Sequence, residues 1–316
     1  MGITNVDSLY ASGPVYSQGA PVLPFTTGTV RYVSSTTSGS SDNHAGTDAT
    51  KPCATVDGAI GKCTANVGDI IVVMPGHVET VTATSIAHDV AGVQVIGLGE
   101  GEDRPTFTYG AAAATITVSA NSGAWKNCVF VANFDNVAAA FTLSTAKSFR
   151  LEGCEFRDTS SILHFLEIVV TGATNNAADR LTVLNNRWHG LAVAPGAFIS
   201  VLGNLTGLHV EGNVTDMAST DDEGSFITAS SKVLLFARII RNYHVVVGSA
   251  GAAVGIFLTG SATTCTGIVA FNTLNSLDTT GALFATAGTG LAFQENYTSG
   301  AADKSGTLHP AADNPA

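Results

Sequence analysis

The sequence has few charged residues, and this shortage excludes several classes of protein. Only 12% of its 316 residues are Asp, Glu, Lys or Arg, about half the share in an average soluble domain. With 14 basic and 25 acidic residues, the net charge is −11, so the chain lacks the basic surface that displaces counterions from nucleic acid. At 45% hydrophobic residues it can form a core, and disorder is not expected. A nucleic-acid partner is therefore not predicted.

Targeting and membrane-spanning segments are also missing from the sequence. The N-terminal residues have no basic region followed by an apolar stretch, so no signal peptide is predicted. Residues 242–277 contain no charged residue. However, Gly, Ser, Thr and Asn interrupt this stretch too often for a spanning helix, which needs about 20 apolar residues. A membrane partner is therefore not predicted either.

Cysteine is scarce as well, with five residues in the whole chain. Such a small, scattered set does not form a disulfide scaffold. Cys53 and Cys63 are interpreted as two small buried thiols beside a short helix, with a bridge between them left as the alternative. No Cys-x-x-Cys motif or His-rich cluster suggests zinc. No metal site and no cofactor are predicted from these residues.

Two short patterns alternate along the chain from about residue 115 onward. One is a β-prone run with a phenylalanine, and its copies contain Phe141, Phe165, Phe198, Phe226, Phe257 and Phe284. The other is an alternating run whose copies end at Cys128, Cys154, Asn186, Asn213, Asn242, Asn272 and Asn296. Equivalent positions recur about every 28 residues with no helical stretch between them. This period predicts a β-solenoid with two or three strands per coil.

Stacked coils place equivalent residues in ladders about 4.8 Å apart. The phenylalanines are therefore expected to form inward-facing stacked ladders. The asparagines suit the tight turn after each second strand, because their amides bond the backbone and tolerate a left-handed conformation. Stacked asparagines also bond one another. Both ladders are interpreted as structural, Cys128 and Cys154 as stacked thiols, and Trp125 and Trp188 as packing residues.

A short amphipathic helix is predicted before the first coil, because apolar residues follow Thr55 at helical spacing: Val56, Ala59, Ile60 and Cys63. The run from Gly68 to Gly76 predicts a buried strand that ends in a turn. A solenoid exposes unpaired strand edges at its ends, so the helix is expected to cap it. The predicted organisation is an extended N-terminal arm at 1–31, a lead-in segment with the capping helix at 32–68, a parallel β-helix at 69–300 and a C-terminal tail at 301–316.

The segment around this helix resembles the start of right-handed parallel β-helix proteins of the pectate-lyase-like superfamily. The resemblance is carried by residues 32–35, the polar loop 39–48, and residues 51–52, 54–55, 59–60 and 68–69. The run Pro-Gly-His-Val-Glu-Thr at 75–80 and the arm residues 5–10 resemble virion structural proteins of tailed bacteriophages. The resemblance implies an all-β, right-handed parallel β-helix that is commonly a homotrimer.

Polygalacturonase-like enzymes of this superfamily use carboxylates from adjacent coils, a histidine and an Arg-x-Lys motif. The nearest matches here are Asp216, Asp221 and Asp222, but Asp216 and Asp221 lie in one loop rather than one coil apart. Arg238 lacks the lysine two residues later, and His189 precedes the acids instead of following them. No catalytic residue is therefore predicted, and the three aspartates remain the alternative catalytic set.

Other candidate residues are also interpreted as structural. Asp221, Asp222 and Glu223 are predicted to form a solvated acidic loop, with binding of Ca²⁺ or a partner as the alternative. His77 and Glu79 lie together near the first coil, where a surface or turn-stabilising role is expected rather than acid–base chemistry.

Two functions are consistent with these observations. The first is a non-enzymatic bacteriophage virion protein, assembled in the host cytoplasm and associated with the capsid as a decorating, cementing or projecting element. Its N-terminal arm would dock on the major capsid protein or another virion protein, and the chain would form a homo-oligomer, a trimer by the resemblance. The alternative is a tailspike or secreted polysaccharide lyase or hydrolase.

Overall fold

The chain is a parallel β-solenoid in a computed structural model that describes residues 26–83, 85–192, 196–218, 224–246, 265–276 and 290–300, with short strands at 16–17, 20–21, 256–258, 284–286 and 303–309. Successive strands fall in turn into a first, a second and a third sheet, so each coil contributes three strands. Neighbouring coils pair in parallel in all three sheets. The predicted all-β solenoid is confirmed.

The three sheets have ten, ten and eight strands in the described residues. The first sheet contains Val30–Val33, Ile70–Val73, Gln94–Gly97, Ala124–Lys126, Arg150–Glu152, Thr182–Leu184, His209–Glu211, Ala237–Ile240, Gly267–Ala270 and Leu291–Gln294. The second contains Val78–Val81, Thr106–Tyr109, Val129–Ala132, Glu155–Asp158, Arg187–Gly190, Val214–Met217, Tyr243–Val246, Thr273–Ser276, Asn296–Gly300 and Asp303–His309. The third contains Ile86–His88, Ile116–Val118, Phe141–Leu143, Val169–Thr171, Ala197–Ser200, Ser225–Thr228, Ile256–Leu258 and Phe284–Thr286.

A few short elements lie outside the three sheets. Leu205–Thr206 pairs in parallel with Leu234–Leu235, and Gly101–Asp103 is a 3₁₀ helix. In the predicted arm, Tyr16–Ser17 pairs antiparallel with Ala20–Pro21, and the rest of residues 1–25 lies outside the described residues. At the other end, Asp303–His309 pairs antiparallel with its neighbour in the second sheet.

The predicted capping helix is present as Val56–Ile60. The Thr55 side chain accepts a hydrogen bond from the Gly58 N–H at 3.0 Å, which satisfies one of the free donors at a helix start. Val56, Ala59 and Ile60 are buried because this face of the helix lies over the first coils. None of the helices in the described part of the chain is long and apolar enough to cross a membrane.

The interior is aromatic, and some of its phenylalanines stack in ladders, as predicted. Phe107, Phe130 and Phe156 are level in the second sheet, and successive ring centroids lie 5.5 and 5.1 Å apart. Phe198 and Phe226 stack in the third sheet with centroids 5.4 Å apart. Such offset pairs add to the burial of the rings themselves. The tryptophans Trp125 and Trp188 are fully buried, as predicted.

Several phenylalanines of the repeated run are not level with another phenylalanine. Phe141 is level with Val169 rather than with another phenylalanine, and Phe165 lies in a turn, where it forms an isolated bridge with Val137. Phe257 is level with Thr228. The turns between the second and third sheets differ in length from coil to coil, so equal spacing along the chain does not place two residues at the same level.

The predicted asparagine ladder is confirmed at the turn between the first and second sheets. Its members are buried and are Asn186, Asn213, Asn242, Asn272 and Asn296. Each side-chain oxygen from Asn213 onward accepts two hydrogen bonds from the preceding asparagine, one from its main-chain N–H and one from its amide, at 2.9–3.1 Å. The ladder begins at the cysteine position, where the Cys154 N–H donates to the Asn186 oxygen.

The cysteines are free thiols, including Cys53, Cys63, Cys128 and Cys154. Cys53, Cys128 and Cys154 are buried and Cys63 is partly exposed. Burial raises the pKa of the Cys154 thiol to about 12 and that of Cys63 to about 11. These thiols therefore stay protonated and poorly nucleophilic near neutral pH.

Left-handed backbone recurs at the residue before each ladder position from Cys128 to Asn296. These residues have φ between 47° and 68° and are Asn127, Gly153, Asn185, Gly212, Arg241, Phe271 and Glu295. The expectation that the ladder asparagines themselves adopt this conformation is therefore wrong by one residue, because their amides are used along the ladder. A second left-handed set precedes the first-sheet strands: Ser122, Ser148, Arg180, Gly207 and Phe236.

Candidate functional site

Asp216 is the predicted site carboxylate that lies within the described residues, whereas Asp221, Asp222 and Glu223 lie outside them. It is on the second-sheet strand Val214–Met217, level with His189 on the preceding strand. Thr215 and Met217 are buried on either side of it, so strand alternation turns Asp216 to the outer face.

The structure brings Asp216 together with His189 and with Arg187, which the sequence analysis did not assign to a site. Asp216 Oδ2 accepts a hydrogen bond from Arg187 Nη2 at 3.0 Å, and Asp216 Oδ1 lies 3.3 Å from His189 Nδ1. The Arg187 and His189 side chains are 60% and 50% exposed, so a dissolved ligand can reach them. Asp216 Oδ1 accepts no hydrogen bond within the described part of the chain.

This arrangement provides one carboxylate, one imidazole and one guanidinium on an open sheet face. Acid–base cleavage of a glycosidic bond needs two carboxyl groups about 5–9.5 Å apart. The cluster supplies one of them, Asp216. Within the described residues, no group of three or more His, Cys, Asp and Glu side chains is arranged to hold a metal ion. The contacts of Asp216 define an ion-pair cluster.

A second charged cluster lies on the same face, nearer the N-terminal end. Arg157 donates to Glu155 at 2.6 Å and pairs with Glu102 at 3.2 Å, and Arg104 also bonds Glu155. Burial by itself would raise the pKa of Glu155, but hydrogen bonds from Arg157 and Arg104 bring it below its ordinary value. These charges neutralise one another and form a structural network.

His77 and Glu79 fasten the first coil to the capping helix. His77 Nε2 and Glu79 Oε2 are 3.0 Å apart, and the same oxygen accepts the Val56 N–H at 3.0 Å. His77 is buried, with its ring centroid 5.7 Å from that of Phe107. The contacts are those of the predicted stabilising role, although His77 lies in the interior and not on the surface.

Two other histidines are neutral parts of the core. Trp125 Nε1 donates to His88 Nδ1 at 3.0 Å. His244 Nδ1 bonds the Thr215 hydroxyl at 2.6 Å, and its Nε2–H donates to the Gly224 carbonyl at 2.9 Å. Burial lowers the pKa of both imidazoles to about 4. They are uncharged at neutral pH and act as hydrogen-bonding core residues.

Asp158 is a buried carboxylate that sequence reasoning missed. Its two oxygens accept the N–H groups of Phe165 and Leu191, at 3.0 and 2.8 Å, which ties together the turns of two consecutive coils. Burial raises its pKa to about 6, against the opposing effects of these two donors and of His164. A lone aspartate at a strand end gives no sequence signal that distinguishes such a buried tie from a solvated turn residue.

Exposed aromatic residues form a third feature, near the C-terminal end. Phe236, Tyr243, Phe271 and Tyr297 are 73%, 44%, 43% and 52% exposed. Tyr243 and Tyr297 lie on the outer face of the second sheet with Thr273 between them. The Arg241 guanidinium carbon lies 6.0 Å from the centre of the Phe271 ring. Large exposed apolar patches mark interaction surfaces more often than chance placement does.

A scan against protein-family models finds no match to this chain, and a search of the curated proteins finds none either. The solenoid fold and the sequence resemblance described above are therefore the observations that bear on function.

Proposed function

We propose that the chain is a non-enzymatic structural protein of a tailed-bacteriophage virion, associated with the capsid as a decorating, cementing or projecting element. The sequence resemblance at residues 75–80 and 5–10 suggests this role. The observation that supports it most strongly is the construction of the rod. A continuous core and an uninterrupted asparagine ladder from Asn186 to Asn296 give a stiff body whose buried amides bond one another.

The capping helix and the composition of the arm support the proposal that the protein attaches by its N-terminal end. The arm at 1–31 precedes the capping helix, which closes the first coil by burying Val56, Ala59 and Ile60. The arm is rich in Gly, Pro and Ser with scattered Val, Leu and Tyr, a composition suited to an extended segment that orders against a partner. The proposed partner is the major capsid protein or another virion protein, and the proposed site of assembly is the host cytoplasm.

The test is whether the protein is recovered with purified particles in a fixed copy number. A variant that lacks residues 1–25 keeps the first-sheet strand Val30–Val33 and the Thr29 N–H bond to Asp69. It should fold, as judged by its β-sheet circular dichroism and melting temperature, but should no longer attach. A matched control removes residues 310–316 at the other end and should leave attachment unchanged. Full attachment of the arm-deleted chain, or absence of the protein from particles, would contradict the proposal.

The second candidate function is a tailspike or a secreted lyase or hydrolase that acts on a polysaccharide. The specific observation in its favour is the exposed Arg187–His189–Asp216 cluster, which continues along the chain towards the acidic residues 221–223. Polygalacturonate and host capsular polysaccharide are the substrates to test. Depolymerisation that is lost in both Asp216→Asn and Asp222→Asn, but kept in Asp135→Asn at an exposed position, would favour this function over the first.

A further inference from the structure

We propose that the C-terminal part of the rod is a self-association surface, on which two copies of this chain meet antiparallel about a two-fold axis near Phe271. The surface, called here the C-terminal aromatic corner, consists of Arg241, Tyr243, Phe271, Glu295 and Tyr297. It lies where the first sheet turns into the second. This two-fold contact replaces the trimer that the sequence resemblance implies, and it does not depend on where the protein is located.

The corner is built from residues that are level in three consecutive coils. Ile240, Ala270 and Gln294 are level in the first sheet, so the next residues form a column of Arg241, Phe271 and Glu295. Two residues further on, Tyr243, Thr273 and Tyr297 form a parallel column in the second sheet. Consecutive members of each column are about 4.8 Å apart along the rod.

The middle of the first column carries an aromatic ring at a left-handed position that glycine or asparagine occupies in earlier coils. Phe271 has a φ of 58°, and the equivalent residues of earlier coils include Gly153, Asn185 and Gly212. Glycine and asparagine adopt this left-handed backbone more easily than phenylalanine. Within one chain the Phe271 ring contacts the Arg241 guanidinium, yet 43% of the side chain stays exposed. A partner that covers this exposed part is expected, because aromatic residues are enriched in the buried centres of interfaces.

The distribution of charge along the chain indicates that the partner bound at this corner is a second copy of the chain. The chain has a net charge of −11, so two copies repel wherever acidic surfaces meet. From Asn242 to Thr298 the sequence has no Lys or Arg and two carboxylates, Asp278 and Glu295. Within the described residues, the ion pairs lie at or before Arg241. The C-terminal part is the portion of the rod where like-charge repulsion between copies is weakest.

Two copies of the column Arg241–Phe271–Glu295 are also complementary to each other when they run antiparallel. A two-fold axis through the Phe271 level places Arg241 of one copy opposite Glu295 of the other, twice, and Phe271 against Phe271. The tyrosines pair across the same axis. This is the isologous geometry of a symmetric dimer. Arg241 bonds Glu211 at 2.9 Å, but its side chain is 63% exposed and a guanidinium has five N–H donors, so donors remain for the partner.

The test uses two charge-reversed variants of the full chain, and the mass in solution is measured by sedimentation and light scattering from micromolar to millimolar concentration. Glu295→Arg places two cations opposite each other at both contacts, and Arg241→Glu places two anions there. Each variant alone should dimerise about tenfold more weakly or worse. An equimolar mixture restores a cation–anion pair at both contacts, so it should form heterodimers, which native mass spectrometry identifies.

The control is Glu100→Arg, which makes the same charge change at an exposed turn near the N-terminal end and should dimerise like the unaltered chain. Melting temperatures establish that each variant is folded. Phe271→Gly should weaken the dimer without lowering the melting temperature, because glycine relieves the backbone strain. The proposal is overturned by a chain that stays monomeric at millimolar concentration, by a trimeric mass, or by a mixture no more associated than its components. A surface that binds saccharide instead would leave the chain monomeric.

Discussion

Replacing one asparagine in the middle of the ladder should cost far more stability than its small size suggests. Asn213 is fully buried; its oxygen accepts both the N–H and the side-chain amide of Asn186, and its own amide donates to the Val183 carbonyl and to Asn242. In Asn213→Ala, the Asn186 N–H and the Val183 carbonyl lose these partners without gaining water. Each such buried group costs about 1–3 kcal/mol, so we expect a loss of about 3 kcal/mol or more.

The assay combines urea unfolding with hydrogen exchange of single amides. Because coils of a solenoid interact mainly with their neighbours, unfolding need not be two-state, and the exchange rate of the Asn186 amide reports the local effect. About 3 kcal/mol corresponds to a roughly 100-fold loss of protection. The matched control is Asn133→Ala, an exposed asparagine, which should change stability by less than about 0.5 kcal/mol.

A small effect of Asn213→Ala would contradict this expectation. If Asn213→Ala lost less than about 1 kcal/mol and the Asn186 amide kept its protection, water or a shifted backbone would have replaced the ladder bonds. The ladder would then follow from the fold and would not stabilise it. Loss of protection at Asn186 with normal protection in distant coils is the expected pattern, because the orphaned groups belong to one coil and its neighbour.

Four further predictions concern single positions. Phe236→Gly should raise stability by about 1 kcal/mol in urea unfolding, because this 73%-exposed side chain occupies a backbone with φ 53°; a loss of stability would contradict the strain argument. The pKa of His244 is about 4 in the folded chain and 6.5 ordinarily. The unfolded chain therefore binds this proton more readily, and the free energy of unfolding decreases as pH falls from 6.5 to 4. His244→Gln should reduce this decrease by up to about 3 kcal/mol. The pKa of Asp158 is raised to about 6 from 3.8. The folded chain therefore holds this proton more tightly, and the free energy of unfolding decreases as pH rises from 3.8 to 6. Asp158→Asn should remove this pH dependence, measured as the midpoint of urea unfolding against pH. Iodoacetamide should modify Cys63 slowly and the other four thiols hardly at all until urea is added, when mass spectrometry should count five labels.

The sequence predicted the repeat well because its signal is local. A turn with left-handed backbone and buried polar groups restricts the residue type in every coil, so Asn213 and Asn242 mark the period wherever they occur. The capping helix was predicted for the same reason, since Thr55 and the apolar spacing after it act within one turn of helix. The turns and the capping helix are determined by residues close together in the sequence, so their signals remain recognisable when the coil length changes.

Contacts that depend on the register between neighbouring coils could not be predicted in the same way. Phe165 belongs to the phenylalanine pattern but lies in a turn, because the number of residues between two sheets changes from coil to coil. His189 and Asp216 were both noted as candidates, yet their contact depends on a register that only the assembled coils define. The neighbour Arg187 was missed for this reason. Asp158 was missed because burial, rather than residue type, gives it its role.

The low charge of the chain follows from the same stacking. Ladder positions accept a charge when the next coil answers with the opposite sign, as in Lys126 beside Glu152 and Glu155 beside Arg187, since like charges on adjacent strands repel. Charged residues on these faces pair with an opposite charge one coil away or two residues along the same strand, as Arg150 does with Glu152, so charges occur in paired clusters. Beyond Arg241 the described coils have no such clusters, and their outer face carries exposed aromatic rings instead. Charged side chains up to Arg241 therefore pair within the chain, whereas the aromatic rings on the neutral C-terminal coils remain exposed. These neutral coils are where a second copy of the chain is expected to bind.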